Sequence, residues 1–186
     1  MENQEQKRKK RGRAARAELY VPKAGGGYRY IGKYYAFSEG QRLDVNRYML
    51  LRIGLSLLAG LSVIGSGLLN SPGMHNTFYV IIPFIGSFLC AAACIWASGR
   101  AMYHGAPLKE YVYNATLIRL KGLTVFQAAC AVLAATGETV FFFLSAEEER
   151  QLLIMLAFDG LQLLAAAASL VSRHFGSLFK WEKSDS

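Results

Sequence analysis

Catalytic and metal-binding side chains are scarce in this chain: of 186 residues, only three are histidine and three cysteine. The cysteines, Cys90, Cys94 and Cys130, fall inside apolar stretches, and a disulfide framework needs paired cysteines in an oxidising aqueous space. Cys90 and Cys94 share a helix face, but His75, His104 and His174 lie on separate loops and tails, which argues against zinc. The three thiols read as small residues packing between helices. No phosphate loop, nucleophile elbow, metal-binding histidine pair or haem motif occurs. The chain therefore reads as non-enzymatic and without a cofactor. His104, with Lys109 and Glu110 nearby, is the one candidate polar set on the basic side, and its spacing specifies no chemistry.

Basic residues are also missing from particular places. Four apolar runs, Met49–Leu69, Phe78–Ser98, Leu123–Leu144 and Leu152–Ser172, each hold about 20 residues, the length of helix that covers a ~30 Å hydrocarbon core. They are continuously apolar, without the alternation of barrel strands. The loops Asn70–Thr77 and Ser145–Gln151 together carry one basic residue, Arg150, against nineteen in the segment up to Tyr48, the loop Gly99–Gly122 and the tail from Arg173. By the positive-inside rule both termini are cytoplasmic. The first run begins too late for a cleaved signal peptide, so it is expected to remain as a span. The expected fold is all-α: a polytopic membrane protein with a four-helix transmembrane bundle of two tandem hairpins (49–98 and 123–172) and interfacial helices on the cytoplasmic side.

Residues 1–27 read as a disordered basic cytoplasmic tail. Lys7, Arg8, Lys9, Lys10, Arg11, Arg13 and Arg16 put seven charges in ten residues, and AGGG (24–27) reads as a flexible hinge. An anionic leaflet attracts such a run by about 1 kcal/mol per basic residue; an acidic protein partner is the alternative. Nucleic acid is not expected, because no binding module accompanies the run. Residues 28–48 form a tyrosine-rich interfacial segment. Tyr28, Tyr30, Tyr34 and Tyr35 are interleaved with basic residues, as aromatic rings and snorkelling cations are at headgroup level; they equally suit a partner-binding patch. In the elbow 99–122, Leu108, Tyr111, Val112, Ala115 and Leu117 or Ile118 recur at helical spacing, giving an amphipathic helix on the inner surface. The sequon Asn114-Ala-Thr116 is expected to be unused there. Residues 173–186 complete the cytoplasmic tail.

A shift of 74 residues aligns the two span pairs, laying Phe84, Gly86, Leu89 and Ala91–Ala93 on Phe158, Gly160, Leu163 and Ala165–Ala167. The match suggests a parallel internal repeat. Small residues at Gly86, Cys90, Cys94 and Ser98, and at the Ser56–Gly60 and Ser62–Ser66 pairs, offer close helix contact within the bundle or in a homo-oligomer.

Ionisable residues inside spans are the sharpest functional hint. Arg52, one turn into the first span, is expected to snorkel to the headgroups. Glu138 and Asp159 are too short for that, and counting residues puts them within roughly 3 Å in depth on consecutive helices. Glu138 shares a face with Gln127, Cys130, Ala131, Ala134 and Ala135. Asp159 heads a stripe of Gln162, Ala166, Ser169 and Arg173. Small and polar faces turn inward in a membrane, so both acids are expected to point into the bundle, with Gln162 and Ser169 in support and Ser62 and Ser87 at similar depth. Pro83 frees the carbonyl of Tyr79 as a candidate ligand. The alternatives are that each acid stays protonated and bonds a helix neighbour, or that Glu138 reaches the outer interface. Glu147, Glu148 and Glu149 just beyond read as a solvated charge run.

Two functions follow as expectations. One is a scaffold or accessory subunit acting through the basic, tyrosine-rich cytoplasmic face on anionic lipid or a membrane-protein partner. The other is a small proton- or cation-coupled transporter using the carboxyl pair.

Overall fold

Apolar runs of this length satisfy their backbone groups internally as helices. The computed structural model, which describes residues 17, 19–23, 26–38, 43–146 and 151–184, is 75% helical and holds four helices long and apolar enough to cross a membrane. These are α1 (Val45–Gly67), α3 (Phe78–His104), the run Glu110–Leu144 and α6 (Leu152–Leu178). A one-turn helix, α2 (Pro72–Asn76), lies between α1 and α3. The run Glu110–Leu144 comprises α4 (Glu110–Tyr113), a π segment (Asn114–Ile118) and α5 (Arg119–Leu144). The basic run Lys7–Arg16, the acids Glu147, Glu148 and Glu149, and Arg150 lie outside the described residues.

Helix α1 packs chiefly against α3 and α6, and α5 against the same two, closing a ring of four. Side chains are distributed as in a solvent of lipid. Leu61, Ile82, Phe126 and Leu153 are exposed, whereas Ser56, Ser62, Ser87, Ser98, Gln127, Gln162 and Ser169 are buried among alanines and cysteines. Lipid gives apolar side chains no reason to turn inward, so small and polar residues take the helix seams. The stripe from Gly86 to Ser98 is used within this bundle. A Cβ on Gly86 would come 2.9 Å from Cys130 Sγ, and the Ser98 and Ser56 hydroxyls meet at 3.0 Å.

The expected interfacial helices are corrected. The aromatic stretch before α1 forms strands: β2 (Tyr28–Tyr30), which pairs with β1 (Tyr20–Pro22), and β3 (Tyr34–Phe37). Strand β3 is the centre of a three-stranded antiparallel sheet, between β4 (Leu108–Lys109) of the elbow and β5 (Trp181–Ser184) of the tail. Tyrosine and phenylalanine fit a pleated, half-buried surface, and partners distant in sequence supply the ladder. The sheet gathers the amino-terminal segment, the elbow and the tail at one end of the bundle, here the sheet end. In the elbow the amphipathic helix is not a separate element but the first turns of the run into α5. Of the segment expected to be disordered through residue 27, the described part carries structure: Tyr20–Pro22 is paired, Lys23 and Gly27 are hydrogen-bonded at 3.0 Å, and Gly26 and Gly27 stand at φ of 86° and 91°, where glycine is unstrained.

Positions matched by the 74-residue shift do not share surroundings. Gly86 faces Cys130, while a Cβ on Gly160 would meet open space; Phe158 is fully buried and Phe84 only partly.

Candidate functional site

Glu138 lies in the half of the bundle away from the sheet, on the α5 face that also buries Gln127, Cys130, Ala131, Ala134 and Ala135. It is 2% exposed, and its Oε2 has no hydrogen-bond partner. The short helix α2 closes over it: a Cβ on Gly73 would overlap Glu138 Oε2 and come 2.9 Å from the carboxyl carbon. Pro72 at the first helical position suits this short turn.

The neighbouring seam is unusually close. A Cβ on Gly137 would lie 3.0 Å from the main-chain oxygen of Tyr79 on α3. That carbonyl is the one for which Pro83 provides no N–H. Glycine at 137 thus brings an acceptor-rich stretch of α3 against the turn of α5 that carries Glu138.

Asp159 is placed differently from the expectation. Phe158, not Asp159, fills the core position on α6, and Asp159 is half-buried at the α5–α6 seam. There Thr139 Oγ1 donates to its Oδ2 at 2.7 Å while Oδ1 is unpartnered. The two acids interact electrostatically, but they approach from the core and from its edge. Gln162 is fully buried, donating from Nε2 to Ser66 Oγ at 2.7 Å and leaving Oε1 unpartnered. Ser169 donates back to the carbonyl of Ala165 at 2.9 Å, so its hydroxyl proton is committed to its own helix. Ser71 and Ser87 are buried with unpartnered hydroxyls. Among the described residues, no three His, Cys, Asp or Glu side chains converge as a metal site.

The expected snorkelling of Arg52 is corrected. Its side chain turns inward, is 2% exposed, and donates from Nη1 to Tyr48 Oη. The guanidinium lies against Gly176 of α6, where a Cβ would come 2.9 Å from Arg52 Cζ. Glycine at 176 leaves the room that draws the side chain into the bundle. A signal existed in the sequence: Tyr48, Arg52, Ser56 and Gly60 recur every fourth residue, one polar and small face.

The candidate tyrosine surface is largely a small core. Tyr28 is 77% exposed, but Tyr30 is 5% exposed, and Tyr34 and Tyr35 are half-buried. Tyr35 stacks on Tyr113 at 4.0 Å. Lys109 Nζ lies 5.1 Å and 5.3 Å from the Tyr20 and Tyr30 ring centres and donates to Tyr20 Oη at 3.3 Å. Hydrogen bonding with Tyr111 and then Lys109 pulls the Tyr20 hydroxyl below the ordinary tyrosine range, against some burial. Burial, then the charge of Glu110, pushes Tyr30 up. His104 is exposed, its ring 5.5 Å from that of Tyr103, and it forms no site with Lys109 and Glu110.

Comparison of the chain with known protein families, characterised proteins and solved structures finds no match.

Proposed function

We infer that this chain is a small multi-pass protein of the cytoplasmic membrane, with both termini cytoplasmic, whose Glu138 takes up and releases a proton or a monovalent cation. The observation that carries this reading is a carboxyl group 2% exposed with one oxygen unpartnered. The backbone carbonyl that Pro83 leaves without a donor lies against the preceding residue, Gly137. A buried carboxyl oxygen without a partner is open to a proton or to a cation. Asp159 is a second, edge-placed carboxyl that would relay to the α5–α6 seam. Orientation rests on the excess of basic residues at the sheet end. Infrared titration in lipid bilayers tests the reading. A carboxyl band that changes with pH, or responds to Na⁺ or K⁺, and disappears in Glu138→Gln is expected. A band fixed at every pH and salt would make Glu138 a structural hydrogen-bond donor.

A scaffold or accessory role is the second reading, favoured by a different observation. Strand β3 ties three separate cytoplasmic segments into one platform, which would hold the basic tail at an anionic leaflet. On the outer face of α1, an open groove of about 500 Å³ over Gly54, with Arg47 and Leu58 among its lining, suits a helix of a membrane-protein partner. Loss of co-purifying membrane proteins on deletion of residues 1–37 would separate this role from exchange at Glu138.

A further inference from the structure

The sheet end of the bundle holds a cation that no part of the carboxyl site explains. Of the three guanidinium nitrogens of Arg52, only Nη1 has a partner, the hydroxyl of Tyr48; Nε and Nη2 are buried and have none. The Arg52 carbonyl is occupied separately, accepting from Ser56 Oγ at 3.0 Å. Cys94 and Tyr113 both lie within electrostatic reach of the guanidinium, and Gly176 lies against it. The side chain is therefore surrounded by α1, α3, α4 and α6, and no carboxylate among the described residues bonds to it. The described acids at this end are engaged elsewhere: Asp44 is exposed, Glu182 accepts from Ser38 at 2.7 Å, and Glu110 lies beside Tyr30.

A third buried donor lies nearby. Trp181 Nε1 is enclosed and unpartnered. The Trp181 ring packs against Tyr48 at 6.2 Å and against Tyr113 at 6.1 Å, the two tyrosines that also neighbour Arg52. Unpartnered donors thus collect at this end, where the hydroxyls of Tyr30 and Ser172 are the other buried polar atoms without a partner. An acid in such a place can protonate and become neutral, but a guanidinium keeps its charge at any ordinary pH. The Tyr48 ring faces the guanidinium at 5.7 Å but leaves Nε and Nη2 without an acceptor, and the planar fork of those two nitrogens matches two oxygens of one oxyanion.

We propose that Arg52 and Trp181 form a buried binding site for a phosphate oxyanion at the cytoplasmic end of the bundle, under the aromatic lid of Phe37, Tyr48, Phe175 and Phe179. The phosphate comes either from a lipid headgroup or from free inorganic phosphate. Both present the same oxygens to the fork, and the lid rings lie 5.0–5.7 Å apart where they pack on one another.

The full chain carrying Trp96→Phe, which leaves Trp181 as its one tryptophan, tests this by fluorescence in two arms. Inorganic phosphate is titrated in neutral detergent, and phosphatidylglycerol is titrated into bilayers of a phosphate-free galactolipid. A saturable change is expected in at least one arm, and the arm that responds names the source. Arg52→Gln should weaken the response at least about tenfold, and Arg52→Lys less, since it keeps the charge and loses the fork. No saturable change in either arm, or an undiminished one in Arg52→Gln, overturns the site. Should Arg52→Gln fail to fold, Trp181→Phe decides, read by phosphate- or lipid-dependent thermal stabilisation. Affinity about threefold or more weaker supports the site, and unchanged affinity overturns it.

Discussion

The two ends of the bundle bury opposite problems. Away from the sheet, beneath α2, the unpartnered atoms include the acceptors Glu138 Oε2, Asp159 Oδ1 and Gln162 Oε1, beside the hydroxyls of Ser71 and Ser87. At the sheet end they include the donors Arg52 Nε and Nη2 and Trp181 Nε1, beside the hydroxyls of Tyr30 and Ser172. The lids differ too, one a single turn of helix over Gly73, the other a cluster of large rings. A carboxyl group and a guanidinium answer burial differently, because a carboxylic acid can be neutral and a guanidinium cannot. The exchange proposed for the first end and the anion proposed for the second rest on that difference.

Four changes break or sharpen that contrast. The largest effect is expected from Gly137→Leu, which drives a side chain into the main chain of Tyr79 and parts α3 from α5 beside Glu138. It should destabilise by about 3 kcal/mol, read by denaturant unfolding in mixed micelles. Gly73→Ala forces the α2 lid off the Glu138 carboxyl and should cost about 2 kcal/mol. Combining it with Glu138→Ala should recover about 1 kcal/mol as a coupling term in a double-mutant cycle, locating the strain in that one contact. Arg52→Met should act in the opposite direction. In phosphate-free medium it removes an unmet charge and should stabilise by about 1 kcal/mol, a gain that disappears when the anion is supplied. The smallest effect belongs to Glu138→Gln, a neutral isostere, which should leave stability within about 0.5 kcal/mol while abolishing any titrating infrared band. Equal stability changes for Arg52→Met and Glu138→Gln would erase the distinction between the ends.

The spans were legible because continuous apolar length is a direct signal. Their ends were not: α1 begins at Val45 rather than Met49, and α3 runs to His104 beyond Ser98, since a helix continues past the hydrocarbon while its backbone bonds remain favourable. The face of Glu138 followed from its string of alanines. Asp159 was misplaced because its stripe through Gln162 is shared with Phe158, and the larger ring took the core position. Arg52 was misread because snorkelling is argued from chain length alone, and the glycine that admits it, Gly176, is 124 positions away in sequence. The sheet escaped notice for a similar reason: β3 finds its partners at Leu108–Lys109 and Trp181–Ser184, and no local window contains them.

That last pairing has a consequence for biogenesis. A ribosome makes β3 well before β5, so the central strand of the sheet waits, with one edge open, until all four long helices have left the translocon. Trp181, Phe175 and Phe179 arrive in the same late interval. Until then the nascent chain holds Arg52 beneath an unfinished roof, still open to the aqueous side. Closure of the sheet is therefore a late step of synthesis, the one that encloses the Arg52 side chain.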